Sequence, residues 1–358
     1  MIQRNFILTD IMKTGDHRSY EQFITTSSIE GQHFEYTGEY YTLHNYDLDV
    51  YNRKFALIDM RIHNDRVVDN IFYKKDLITR LQFLYEMGFK FILSNPWESK
   101  DNLRSQIFHN GKRLKKLDIP FDYYTWTGGT SWFWNYMYHK HKKNRFYFNH
   151  SNKKYNFLYL NKFPRKHRLK LYKKLQDSQL LKKTLYTFLG LDAPIRLSAD
   201  YELPWCKPND YPKWGLDQDL YEIPYNDTGC SLVSETNDVN DEIFMTEKIW
   251  KPIIAKHIFI VHGNLFYLKQ LKNMGFKTFD NIINELYDAE TDPNKRIELI
   301  VDVCKKLENA DWKKLYNLTE DIREHNYKTF FNKDLLSKEI NKEILSWLKF
   351  FDSSKISS

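Results

Sequence analysis

Apolar strands alternating with helical stripes at short spacing narrow what this chain can fold into more than any other feature. KFALIDMRI (54–62) reads as a buried strand. From Lys75 to Met87, residues Leu77, Ile78, Leu81, Leu84 and Tyr85 fall on one helical stripe, which Gly88 stops. FKFILS (89–94) is the next strand, and DYYTWTGG (122–129) is a further one. Strand, helix and strand this close form a βαβ unit, and such units build parallel sheets.

The alternation then starts again. Tyr138 to Lys154 is polar, basic and without periodicity, as an interdomain linker would be. After it come a strand YNFLYLN (155–161), a helix from Arg165 to Lys183 and a strand GCSLVSET (229–236). A helix from Thr246 and a strand HIFIVHG (257–263) follow, then a helical LFYLKQLKNMGF and a strand-like KTFDNII. The proline-rich LPWCKPNDYPKW (203–214) must be a loop. The expected architecture is α/β, with two Rossmann-like domains facing one another, at 1–150 and 151–330. A chain of 358 residues is long enough for both. The tail 331–358 reads as one more helix. Leu336, Ile340, Ile344, Trp347 and Phe351 recur on one face, with Lys338, Lys342 and Glu343 off it. That face can pack back on the amino-terminal domain or lie on a membrane surface.

Composition excludes some classes. Three dispersed cysteines match no zinc or redox spacing and suit a reducing compartment. No signal peptide is visible in MIQRNFILTD and no run approaches the ~20 apolar residues of a membrane span. These features point to a cytoplasmic protein, at most peripheral to a membrane. The net charge of +7 is uneven: Lys140 to Lys183 holds 15 Lys and Arg against one acid, Asp177. That run is either an anion-binding surface or a solvated face.

In open α/β sheets ligands bind at the carboxyl ends of strands, which selects the residues to weigh. Asn161 ends a strand, and Arg165, Lys166, His167 and Arg168 stand at the following helix N-terminus, where a diphosphate would be welcome. Glu235 ends the next strand, as a ligand contact or a cap. Thr246 can cap the helix beyond, putting Glu247 and Lys248 in its first turn. Glu is favourable there and Lys is not, so an anion near Lys248 would offset the helix dipole. Pro252 inside that helix should kink it or move its start.

Taken together, SETN, FMTEKIWKPIIAKHIFIVHG and LKQLKNMGFKTFDNIINELYD, with LYLNKFPRKHRLKLYKKL upstream, resemble the donor-binding domain of the α1,3-fucosyltransferases and their bacterial and phage relatives, over about residues 155–330. The resemblance implies a GT-B fold and transfer of a sugar from a nucleotide donor, GDP-fucose by family default. It implies inversion at the anomeric centre and no essential metal or further cofactor. Carried over, Glu247 would meet the ribose, and Lys248 and Arg168 the phosphates. The amino-terminal half matches nothing in the family. Glu98, in FILSNPWES, stands after a strand where the family keeps its general base, and Asp59 and Asp65 are the alternates. A deprotonating carboxylate and cations at the leaving diphosphate are what such a reaction demands. The expected acceptor is a hydroxyl of a surface glycan or its lipid-linked precursor. Two alternatives stand beside it: a phage enzyme glycosylating DNA bases, held by the basic run, and an inactive nucleotide-sugar-binding module.

Overall fold

The structure is a computed structural model. It describes residues 4–10, 17–27, 29, 32–37, 40–59, 71–94, 107–109, 112–114, 123–126, 129–150, 152–162, 164–188, 219–236, 238 and 243–353. The chain divides into two units, one made of 1–139 with 333–358 and the other of 140–332.

The first unit holds β1 (Arg4–Asp10), α1 (His17–Thr26), β2 (Gln32–Thr37), β3 (Arg53–Asp59), α2 (Ile71–Glu86), β4 (Lys90–Ser94), a short hairpin of β5 (Ile107–His109) and β6 (Lys112–Leu114), β7 (Tyr123–Trp126) and α3 (Thr130–His141). Its main sheet is parallel throughout, in the order β2-β1-β3-β4-β7. Phe6, Leu8, Phe55, Leu57, Phe91 and Ile92 are buried, as strands covered on both faces require. The pair β1 and β2 was not foreseen: QHFEYT alternates too weakly with polar residues to stand out.

The second unit continues with β8 (Tyr155–Asn161), α4 (Lys166–Asp177), β9 (Thr184–Phe188), α5 (Glu222–Asp227), β10 (Thr228–Ser234), α6 (Glu247–Ile254), β11 (Ile258–His262) and α7 (Tyr267–Asn273). Then come α8 (Pro293–Leu307), α9 (Trp312–Leu318) and α10 (Glu320–Phe330). The sheet is again parallel, ordered β11-β10-β8-β9, and every residue of β10 and β11 is buried. Two rows of α-helices on strands, twice over, is the Rossmann-like α/β architecture expected from the alternation. Gly229 opens β10 against the indole of Trp312: a Cβ there would come within 2.2 Å of the ring.

Three local expectations need correction. The helix starting near Arg165 ends at Asp177, and Gln179 turns the chain through a left-handed φ of 61°. A 3-10 turn and strand β9 follow. KTFDNII is no strand: Ile283 N donates to Phe279 O at 2.8 Å, closing a helical turn that buries both side chains. The segment taken as a linker begins inside α3, and the change of unit falls between His139 and Lys140.

The tail is α11 (Lys333–Ser353), part of the first unit. Leu336, Ile340, Ile344 and Trp347 are at most 2% exposed. Trp347 meets Trp126 edge to face at 5.1 Å between centroids, and Phe351 meets Phe55 at 5.6 Å. Glu343, expected off the buried stripe, faces inward: it accepts from Trp126 Nε1 at 2.8 Å and from the Ser131 hydroxyl at 3.3 Å. The two donors offset the cost of turning a carboxylate toward the core. No helix among the described residues is long and apolar enough to cross a membrane.

At the amino-terminal edge of the second sheet, His257 is buried between strands. Its Nε2 donates to Thr228 O at 2.7 Å and its Nδ1 accepts from the Ser231 hydroxyl at 2.9 Å, so the ring is held neutral. Burial, and then the charge of Lys153, depress it well below the ordinary 6.5. Burial likewise brings His150 down to about 3, with Lys153 and Arg323 adding repulsion.

Two outcomes are expected. Trp347→Ala should cost about 3–5 kcal/mol through the cavity it leaves, seen as a lower Tm, and truncation after Phe331 should cause aggregation. The depressed histidines stay neutral in the folded chain but protonate in the unfolded chain near 6.5. Stability is therefore full above that pH and falls as pH drops below it. A melting series from pH 8 to 5 should show the loss, and His257→Gln should shallow the slope while lowering Tm throughout.

Candidate functional site

The strands β8, β10 and β11 run parallel, so Asn161, Ser234 and His262 end them at one edge. Ser234 is paired in register with His262, and its hydroxyl lies 3.4 Å from His262 Nδ1. Asn161 is fixed through its backbone, receiving and giving hydrogen bonds with the Thr187 hydroxyl at 3.0 and 2.9 Å. Its side-chain amide is 2% exposed and has no hydrogen-bond partner among the described residues.

Over this edge stands the start of α4. Arg165 is its N-cap in extended conformation, without a side-chain cap bond, and no acid occupies the first turn. Arg168 is 2% exposed, and its Nη2 donates to Glu235 O at 2.9 Å. His167 Nε2 donates to the same carbonyl at 3.0 Å, and its Nδ1 lies 3.4 Å from Asp238 Oδ1. Burial lowers the pKa of Arg168, against the pull of Tyr159, Glu235, Glu247 and Asp238. Burial and repulsion from Arg168 push Arg165 down to about 10. Both guanidiniums thus carry a desolvation cost, which an anion at this edge would reduce.

Thr246 caps α6 as expected, its side chain accepting from Lys248 N at 3.4 Å. Pro252 neither moves the start nor sits centrally: in the second turn, it forfeits only the bond to the Lys248 carbonyl. The unfavourable first-turn Lys248 is compensated from within the helix, because its ammonium donates to Glu247 at 2.6 Å. It also donates to the hydroxyls of Thr246 at 3.1 Å and Thr236 at 3.4 Å. Burial would raise Glu247, but the charge and hydrogen bond of Lys248 outweigh it, and the carboxyl ends below its usual range. Lys248 and Glu247 keep 20% and 9% of their side-chain surface, so this ion pair can be reached from solvent.

Glu235 is placed differently from a ligand contact. It is wholly buried, and burial raises its pKa against the attraction of Lys248. Its carboxylate accepts from Thr246 N and hydroxyl, from Thr236 N and from the Tyr267 hydroxyl. Arg296, from α8, ties down the loops: one guanidinium nitrogen donates to Asp238 O at 3.0 Å and to Gly263 O at 2.8 Å. Asp238, His262, Tyr267 and Arg296 were not read as site residues. The only sequence signal was position, since each lies within a few residues of a strand end except Arg296, which arrives from a distant helix.

The structure therefore gathers Asn161, Arg165, Arg168, Glu235, Glu247 and Lys248 at one edge. Glu98 and Asp65 lie outside the described residues. Asp59 ends β3, in register with Ser94, at the carboxyl edge of the first unit's sheet. Among the described residues no group of His, Cys, Asp and Glu could hold a metal ion. Four of the 15 basic residues in the run pair with carboxylates: Lys140 with Asp219, Lys154 with Asp227, Lys174 with Glu298 and Lys183 with Glu308.

No family model matches the sequence and no curated protein matches it, so the fucosyltransferase likeness rests on the motifs alone. Among solved structures, T4 phage BGT in complex with UDP and Mn2+ is similar over 98% of this chain and 99% of its own. The two are 11% identical with a TM-score of 0.38, a likeness too loose to bear on activity.

Proposed function

We propose that this chain is a glycosyltransferase whose second unit binds a nucleotide-sugar donor. The observation that carries the reading is the reachable Glu247–Lys248 pair, set with Arg165 and Arg168 at the carboxyl edge of a parallel sheet. A nucleoside diphosphate is complementary to these groups. Its phosphates take the Lys248 ammonium away from Glu247 and offset the buried charge of Arg168. Glu247, released, accepts from ribose hydroxyls. As the sugar leaves, negative charge grows on the diphosphate, and two fixed cations stabilise it without a metal.

The finer reading follows the motif resemblance. Transfer is inverting, fucose is the default sugar, and the acceptor is a hydroxyl of a glycan or its lipid-linked precursor. The attacking hydroxyl loses its proton to a carboxylate, with Glu98 the first candidate and Asp59 and Asp65 the alternates.

GDP-, UDP- and CMP-sugars should be screened by thermal shift. A donor at 100 times its Kd stabilises by about 2.7 kcal/mol, which reads as a clear rise in Tm. Lys248→Ala and Glu247→Ala should lose that rise and all transfer while melting normally on their own. Retained shift and turnover in both variants would remove the donor site from this edge. Transfer should also survive EDTA, and a loss restored by manganese or magnesium would overturn the metal-independent mechanism.

A further inference from the structure

Glu235 has no surface left for a ligand, yet every element of the candidate donor site leads back to it. Its Oε2 accepts the Thr246 hydroxyl at 2.7 Å. That hydroxyl has one proton, and Glu235 takes it. Toward Lys248 the Thr246 oxygen can therefore only accept, which suits the ammonium 3.1 Å away. Oε1 accepts from Thr246 N at 3.2 Å and from the Tyr267 hydroxyl at 2.7 Å. The main-chain carbonyl of the same residue receives Arg168 and His167. One residue so orients Lys248 through its side chain and Arg168 through its backbone.

Tyr267 reaches Glu235 because Gly263 makes room. A Cβ at Gly263 would stand 2.8 Å from Tyr267 Cδ2, so any side chain there pushes the ring and its hydroxyl aside. The residue before it, Phe266, takes a left-handed φ of 59° to start α7 and aim the tyrosine inward. The glycine closing β11 and the acid closing β10 are thus joined through one phenol.

We infer that Glu235, Thr246 and Tyr267 form a positioning set for Lys248. They touch no substrate; they fix the direction and partner of the ammonium that receives the donor diphosphate. The inference rests on the donor-site reading above. In the free protein Lys248 divides its three protons among Glu247, Thr246 and Thr236. Only the bond to Glu247 is given up to phosphate. The two hydroxyls stay, and the Glu235 charge, relayed through Thr246, keeps the ammonium in place.

Calorimetric titration with GDP and with UDP tests this on the full chain. Tyr267→Phe and Thr246→Val should each weaken binding about tenfold, and Thr246→Ser, which keeps the hydroxyl, should stay within about twofold of the unmodified protein. Thr246→Val also removes a helix cap and lowers Tm; Tyr267→Phe leaves the cap in place and carries the test if the first variant folds poorly. A purely structural role predicts lower Tm with unchanged affinity, and unchanged affinity in Tyr267→Phe and Thr246→Val would overturn the inference. Should the unmodified protein bind neither nucleotide, it is the donor-site reading itself that falls.

Discussion

Parallel strand pairing forces each chain crossover back to the same side, so all the carboxyl ends of a sheet meet at one edge. In the second unit this brings Asn161, Ser234, Glu235, His262 and Gly263 together from distant parts of the sequence. No strand pair here can be made by a tight turn, and the four strands are buried along most of their length. The core is apolar, and polar chemistry is confined to where strands stop. What those terminal side chains do is then decided by the helices that begin beside them.

Charge compensation works at short range throughout. Lys248, at the wrong end of a helix dipole, finds its counterion in the neighbouring residue, and Glu235 is neutralised by four hydrogen-bond donors rather than by a cation in contact. Partners to the basic run come from α5, α8 and nearby loops. Exposed pairs of this kind add little stability. Their effect is local: each ties one basic side chain of the run to a neighbouring element.

The periodicity of the sequence was enough to read βαβ alternation, the strand at 155–161, the cap at Thr246 and the apolar stripe of the tail. It failed at the end of α4, where Gln179 leaves the helix through a left-handed conformation that no spacing announces. It failed too where polar residues diluted a strand, as in β2 and β9. In the candidate site, Lys248 stood out because a cation conflicts with a helix N-terminus, whereas Glu247 and Arg168 were picked out by the motif resemblance. Glu235 was found for the wrong reason, since a carboxylate at a strand end looks the same whether it faces a ligand or a hydroxyl from α7. Arg296 and Tyr267 were illegible, because long-range contacts leave no mark on local spacing.

The second unit interrupts the first, whose last helix, α11, is made only after α10. During synthesis the second unit has all its strands before the first has its final helix. Until then Trp126, Phe23 and Phe55 lack the side chains that cover them. A ribosome that stalls late would leave a finished second unit tethered to a first unit with an uncovered aromatic face, a form that chaperones and proteases recognise. The order of the chain thus makes the first unit, though it starts first, the last to be completed.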